Sequence, residues 1–338
     1  MVVVKPRFAL SVTKADGKEI VAAGVTSATV RMDRDLPADE CRLVFPERKE
    51  FTLDVFTEGD EVSLALGHAE FGVFPLFRGP ITRIEPNKPL TVVVENRSYG
   101  SRRSRYVATY QDKTWGEIAT DAFERAGLHA VVSGTPPATK PPRTFRVDNL
   151  TPAQVLDQCA RQTCWVWYVL PGTDDGWFGP RPEEPPRSDE RRWVLEVGGN
   201  AFADDCRLEY GTSHGVKRVC VTLADAECQK PPATGEFKAP DYKDGDAEKR
   251  FTRCVADPTA AQAEALAEAE YHRLAPPFRG TLAAIGNPLV YPGVRVAVKH
   301  PQQDDATRYA VVERAVHTFA DGWYLMNLNV SGVDDSQR

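Results

Sequence analysis

The chain has 338 residues, 42% of them hydrophobic, with 42 basic against 48 acidic side chains and a formal net charge of −6. That length and apolar content suffice for two or three domains and exclude a disordered chain. A mild negative charge with no basic domain argues against nucleic acid as the main partner, and no run reaches the roughly 18 apolar residues of a membrane span.

In chain order, the start Met1-Val2-Val3-Val4-Lys5-Pro6 is too short for a signal peptide's apolar region, which predicts a cytoplasmic product with no membrane anchor. Phe8, Leu10 and Val12 alternate as in a strand, turn at Ala15-Asp16-Gly17-Lys18 and return through Ile20 and Val21. Further strands are predicted at Ala28, Val30 and Met32, at Cys41 to Phe45, at Val62, Leu64 and Leu66, at Phe77 to Glu85, and at Leu90 to Glu95 after a Pro86-Asn87-Lys88-Pro89 turn. So many short strands ask for a barrel or closed sandwich. Tyr99-Gly100-Ser101-Arg102-Arg103-Ser104-Arg105-Tyr106 interleaves basic and aromatic residues, but it is short and isolated, which favours a solvated linker or subunit contact over a nucleic-acid site.

A change of period marks the next part. Thr114-Trp115-Gly116-Glu117 has the capping-box pattern, followed by the apolar stripe Trp115, Ile118, Ala122, Phe123 and Ala126 and a stop at Gly127. A second helix starts with Thr151 as cap, Pro152 at the first helical position and Gln154 completing the box. Trp165 to Leu170 and Trp177-Phe178 read as strands, and the aromatics Trp115, Phe123, Trp165 and Tyr168 supply the core of a small domain rather than a sugar platform. Gly179 to Arg192, with Pro180, Pro182, Pro185 and Pro186 among charged neighbours, reads as an extended linker. Trp193 to Val197, Cys206 to Tyr210 and Val216 to Leu223 are strands again; they either complete the first β domain or open the second, the latter being preferred. Ala224 to Lys249 is polar and proline-bearing and is expected to be an exposed loop or insertion. Its Asp241-Tyr242-Lys243-Asp244-Gly245-Asp246 end lacks the distal Glu of a calcium-binding EF-hand.

Thr259 and Gln262 have capping-box spacing, and Ala260, Ala263, Ala267, Tyr271 and Leu274 share a helical stripe that Pro276 and Pro277 end. Strands follow at Phe278 to Ala284, at Val294, Val296 and Val298, at Arg308 to Phe319 and at Trp323 to Val330, the last two joined by a tight Asp321-Gly322 turn. This closing pattern also occurs earlier, as a weak internal repeat. Gly59 to Leu64 lines up with Gly293 to Val298, Phe77 to Glu85 with Tyr309 to His317, and Leu90 to Glu95 with Trp323 to Asn329.

Seven scattered cysteines (Cys41, Cys159, Cys164, Cys206, Cys220, Cys228, Cys254) give no disulfide framework, and Cys206, His214, Cys220 and Cys228 lack the paired short spacing of a structural zinc site. No nucleophile elbow, zincin, phosphate-loop or dinucleotide motif is present. Asp204-Asp205 and Glu183-Glu184 are adjacent loop charges, and the six histidines show no metal or triad spacing. No catalytic, cofactor-binding or metal-binding residue is therefore assigned, and no cofactor.

Taken in order, Gly59-Asp60-Glu61-Val62, Phe77-Arg78-Gly79-Pro80-Ile81-Thr82, Ser101 to Arg105, the helix signals at Thr114 and Leu150-Thr151, Gly280-Thr281-Leu282, Gly286-Asn287-Pro288, Pro292 to Val296 and Tyr309-Ala310-Val311 with His317 resemble the late control protein D family. That family forms the baseplate hub of contractile phage tails and related injection systems, and is similar to the N-terminal part of type VI spike proteins. The resemblance implies a β-rich α+β chain with two tube-protein-like antiparallel β-barrels and an α/β insert domain between them. The barrels would occupy residues 1–109 and 193–338, the second with an inserted loop and helix at 225–277, and the insert residues 110–192. It further implies a homotrimer joining a sixfold tail tube or tube-initiator protein to a threefold spike, in contact with other baseplate proteins, with no turnover and no specific nucleic-acid binding. Such a protein would be assembled in the bacterial cytoplasm and reside in a virion tail or injection particle. The chain closes at Arg338 without the oligonucleotide-binding-type domain and β-helix of fused spike proteins, so a separate spike chain is expected. The competing expectations are a tail-associated cell-wall hydrolase and a carbohydrate-binding β module.

Overall fold

A computed structural model of the chain describes residues 5–21, 24–33, 39–46, 55–86, 89–133, 141, 143–163, 165–180, 193–210, 216–225, 230–255, 258–300 and 307–332. The linker at 181–192, with Glu183-Glu184, and Asn87, Lys88, Cys164, His214 and Cys228 lie outside the described residues.

The first part runs β1 (Pro6–Thr13), β2 (Glu19–Val21), β3 (Ser27–Asp33), β4 (Glu40–Phe45), β5 (Glu61–His68), β6 (Gly72–Glu85) and β7 (Leu90–Glu95). Every second residue of β3 and β5 is buried and apolar (Ala28, Val30, Met32; Val62, Leu64, Leu66), as a sheet packed on one face requires. After an insert come β13 (Trp193–Glu196), β14 (Arg207–Tyr210), β18 (Phe278–Ile285), β19 (Arg295–Lys299), β20 (Thr307–Ala320) and β21 (Trp323–Gly332), with a second insertion between β14 and β18. Asp321 and Gly322 both have positive φ, 52° and 77°, which lets the β20–β21 hairpin turn tightly.

These strands do not form two separate sheets. One 13-stranded sheet runs in the order β14-β18-β21-β20-β3-β4-β7-β6-β5-β1-β2, with β13 and β19 attached at β20. The antiparallel contact of β3 with β20, Ser27 to Asp33 against Ala320 to Arg314, stitches the halves together. A single hydrophobic core follows both, from Leu10 and Val12 to Leu328 and Val330.

The repeat holds at the level of main-chain bonds, but the sequence alignment shifts: Phe77 to Glu85 matches Arg308 to Val316 instead of Tyr309 to His317, and Leu90 to Glu95 matches Met326 to Ser331 instead of Trp323 to Asn329. Gly59 N–H donates to Ile81 O at 2.8 Å and Ile81 N–H to Asp60 O at 2.8 Å; in the second copy Gly293 donates to Val312 O at 2.8 Å and Val312 to Val294 O at 3.0 Å. Gly59 and Gly293 have φ of 94° and 95°, a conformation open to glycine. Both long strands then carry one bulged residue, Thr82 between Ile81 and Arg83 and Glu313 between Val312 and Arg314. Asp60 to Leu64 and Val294 to Val298 thus occupy equivalent places, each against the first part of a long strand, two residues out of step with a match of Val62 to Leu66.

The insert after β7 contains α1 (Ser98–Arg103), β8 (Tyr106–Gln111), α2 (Trp115–Arg125), β9 (His129–Val132), β10 (Thr144–Leu150), α3 (Pro152–Thr163), β11 (Val166–Val169) and β12 (Asp175–Gly179). Its own core holds Trp115, Phe123, Trp165 and Phe178, and Tyr168 packs beside it on Trp177. Thr114 and Glu117 form the expected reciprocal cap, with backbone-to-side-chain distances of 2.9 and 3.2 Å. Three strands here were not read from sequence: β8, β9 and β10. The basic run expected to be a linker is instead helix α1, whose Ser101 is buried and whose Arg103 lies over the Tyr99 ring at 4.3 Å.

The stretch 224–249, expected to be an exposed loop or insertion, is an insertion and not a loop. It holds strands: β15 (Arg218–Asp225), β16 (Ala233–Lys238) and β17 (Glu248–Val255) form a three-stranded sheet. Helix α4 (Ala260–Leu274), capped by Thr259 and Gln262, covers it through Ala263, Leu266 and Ala267 on a core of Val219, Val221, Leu223 and Val255. The sequence looked loop-like because one face of this sheet is a charge ladder. Arg218 meets Glu236 at 3.0 Å and Glu248 at 3.4 Å, Lys238 meets Glu236 at 2.8 Å and Arg250 meets Glu248 at 2.7 Å. Strands β13 and β14 therefore join the second repeat, whereas β15 belongs to this separate α/β unit.

Candidate assembly interface

The residues that tie parts of the molecule together are polar at one joint and apolar at another. Between the first repeat and the insert, Glu61 and Asp174 sit among two guanidinium groups. Arg78 lies 3.0 Å from Glu61 and 3.3 Å from Asp174, and Arg97 lies 3.1 Å from Glu61 and 2.9 Å from Asp174. Alternating charges, each answered twice, fix an orientation that a single exposed pair could not. The equivalent of the Glu61–Arg78 pair in the second repeat is Arg295 stacked over Tyr309 at 4.8 Å, so the same sheet position carries a different chemistry.

Between the repeats the joint is apolar. Met32 stands opposite Ala315 and Val30 opposite His317, all of them buried. His317 is held on both sides: its Nε2–H donates to Val290 O at 2.9 Å, leaving Nδ1 to accept from Tyr324 Oη at 2.9 Å. Burial without an anion keeps this imidazole neutral, lowering its pKa to about 4, and pushes the Tyr324 phenol well above its usual value. His68 serves the neighbouring turn, its Nε2 2.7 Å from Gly286 O and its ring 5.5 Å from Tyr324.

The chemistry considered from sequence is placed as follows. Cys41 and Cys159 are buried free thiols whose ionisation burial opposes, and Cys206 and Cys220 are half-buried and free. No group of three or more His, Cys, Asp or Glu among the described residues could hold a metal ion. Asp204 and Asp205 are exposed on the turn between β13 and β14. Asp241 bonds to Lys217, and Asp246 accepts from Lys243 N–H at 2.8 Å, a turn rather than a cation loop. Trp165 and Trp167 are buried, 7% and 5% exposed, and present no sugar-binding face. No helix among the described residues is long and apolar enough to cross a membrane.

Two sheet edges are not evident from the sequence. Beyond β18, among the described residues, lies the edge strand β14 with partly buried Leu208 and Tyr210 and, just before it, Cys206, and the second half of β6, with partly buried Ile84, has a described strand on one side only. The alternation Cys206, Leu208, Tyr210 could have signalled this, since it copies Ala28, Val30, Met32.

The fold is similar to those of solved tail proteins. The 43 kDa tail protein of prophage MuSo2 from Shewanella oneidensis matches with a TM-score of 0.68 at 13% identity, over 96% of this chain and 98% of that one. A tail protein from Neisseria meningitidis MC58 matches with a TM-score of 0.68 at 14% identity, over 97% of each chain. An E. coli component of the type VI secretion system matches with a TM-score of 0.58 at 12% identity, over 92% of this chain and 74% of that one. No protein-family model and no curated protein matches the sequence. The resemblance carried by the ordered motifs thus holds as a likeness of fold to phage tail and type VI secretion proteins.

Proposed function

We propose that this chain is a structural hub of a contractile tail or injection-system baseplate, acting as a homotrimer that joins a sixfold tail tube to a threefold spike. The observation that carries this reading is the repeat: two β units matched in turn, bulge and register give three chains six similar units, which suits a sixfold neighbour on one side and a threefold one on the other. The tail-protein fold supports the same reading. In it the two β repeats build the ring, and the α/β units around 98–180 and 216–274 offer contacts to other baseplate proteins. Its work is recognition and assembly with no turnover, in the virion tail or injection particle. Mass photometry of the purified chain, alone and with its spike, tests this. The expected result is a species of three chains, and a persistent single chain with spike and tube protein present would overturn it.

A further inference from the structure

We infer that the exposed side of α1, built on Arg102, Arg103 and Arg105, docks a carboxylate-rich segment of a partner protein. This deepens the hub reading, in which the unit around 98–180 meets other baseplate proteins, and its test does not depend on that reading.

All three guanidinium groups are exposed. None forms an ion pair with a carboxylate among the described residues, and Arg102 reaches Asp39 only as a charge beyond ion-pair distance. Elsewhere Arg78, Arg97, Arg125 and Arg218 each meet at least one carboxylate. Three neighbouring arginines without one, in a chain of net charge −6, are a local excess that the fold does not use. Arg102 and Arg103 stand in the last turn of α1, where a helix dipole favours cations, but Arg105 lies beyond that turn.

The scaffold beneath them is fixed. Ser98 and Ser101 are 0% exposed; Ser101 Oγ donates to Ser98 O, and Ser98 N–H donates to Asn96 Oδ1 at 3.2 Å. Arg103 lies on the Tyr99 ring at 4.3 Å, and Arg105 donates from Nη1 to Asn149 O at 2.8 Å. Two of the three side chains are thus oriented before a ligand arrives, which lowers the entropy that binding would cost. Stacking uses the face of the Arg103 guanidinium and leaves its N–H edge open, and Arg105 engages a single nitrogen. Such an edge matches the two oxygens of a carboxylate.

Nucleic acid is the rival occupant, since phosphate offers similar oxygens. Single strands bind basic grooves by stacking bases on open aromatic rings. Here both nearby rings are half-buried, and each already has one of the chain's own guanidinium groups over it: Arg103 on Tyr99, and on Tyr106 Arg125, which Asp121 neutralises at 2.6 Å. Nor does a basic track continue from α1. The exposed side of β8 and β10 carries Val107, Thr109 and Gln111, with one arginine, Arg146, and one aspartate, Asp148.

The experiment titrates a short fluorescein-labelled oligoglutamate into the full chain by anisotropy, with an oligothymidylate of equal charge as the rival probe. The oligoglutamate should bind, less tightly as salt rises. Arg102→Ala, Arg103→Ala and Arg105→Ala together should weaken it by about tenfold or more with the melting temperature unchanged. Removing the same charge at Arg31, Arg207 and Arg314, exposed on the sheet, should leave binding as it was. Arg103→Lys with Arg105→Lys keeps the charge but loses the planar fork, and should retain only part of the affinity. Tighter binding of oligothymidylate, equal losses in the two triple variants, or full binding by the lysine variant would each overturn this assignment. So would a triple alanine variant with an altered oligomeric mass, because the occupant would then be a second copy. Failure of oligoglutamate to bind removes the site and leaves the hub reading standing, whereas a chain that stays single beside spike and tube removes the hub reading and leaves the site.

Discussion

His317 makes the core sensitive to acid at the scale of one residue. Its imidazole is 0% exposed and sits between two neutral partners, so the folded chain resists its protonation until about pH 4. An unfolded histidine takes up its proton near about 6.5. The lowered folded value means that the stability is complete above the unfolded pKa and is lost as pH falls through that window, by roughly 3 kcal/mol below it. The urea midpoint is expected to drop between pH 7.5 and 5, and His317→Phe, although less stable at every pH because Val290 O loses its donor, should show a flatter profile. Parallel profiles for the two proteins would show that His317 does not cause the slope. At this scale the sequence was only partly legible. Gly79 was visible as a glycine inside an alternating strand, but only the fold explains it: a Cβ there would lie 1.9 Å from Glu95 O.

At the scale of elements, what depends on near neighbours in sequence was legible and what depends on distant partners was not. The boxes at Thr114, Thr151 and Thr259 all formed, because a cap is decided within three residues. Where helix α4 would pack was not legible, since its partners β15 and β16 lie upstream in a stretch whose charged half suggested a loop. Likewise, among the described residues, β8 and β10 pair with each other across the intervening α2 and β9, a contact that no local pattern announces. The separate core under α4 gives a local expectation. Thr259→Ala removes the acceptor for Gln262 N–H, 3.3 Å away, and should cost about 1 kcal/mol. Hydrogen exchange should speed up across Ala260–Leu274 and the β15–β17 sheet while β20 and β21 keep their protection. Equal loss in β20 and β21 would mean that the unit does not open independently.

The whole molecule turns on one strand pairing that joins residues nearly the length of the chain apart. The repeat itself was legible, because turn glycines and alternation recur locally at Gly59 and Gly293. Its consequence was not: two similar β units could have folded as separate bodies, and nothing local says that Ser27–Asp33 would pair with the second copy's long strand. That pairing sets Met32 and Ala315 in one continuous core, so the halves should share their stability even though the two α/β units have cores of their own. Met32→Ala, at a side chain 1% exposed, is expected to cost about 2–5 kcal/mol through lost burial and the cavity left behind. In a merely tandem arrangement this loss would stay in the first repeat. With β3 as the joint, hydrogen exchange should show β4 and β7 losing protection together with β18 and β21, by similar amounts, while α2 and α3 retain theirs. Loss confined to β4 and β7 would show that the sheet is continuous in geometry but not cooperative in energy, and that each repeat stands alone.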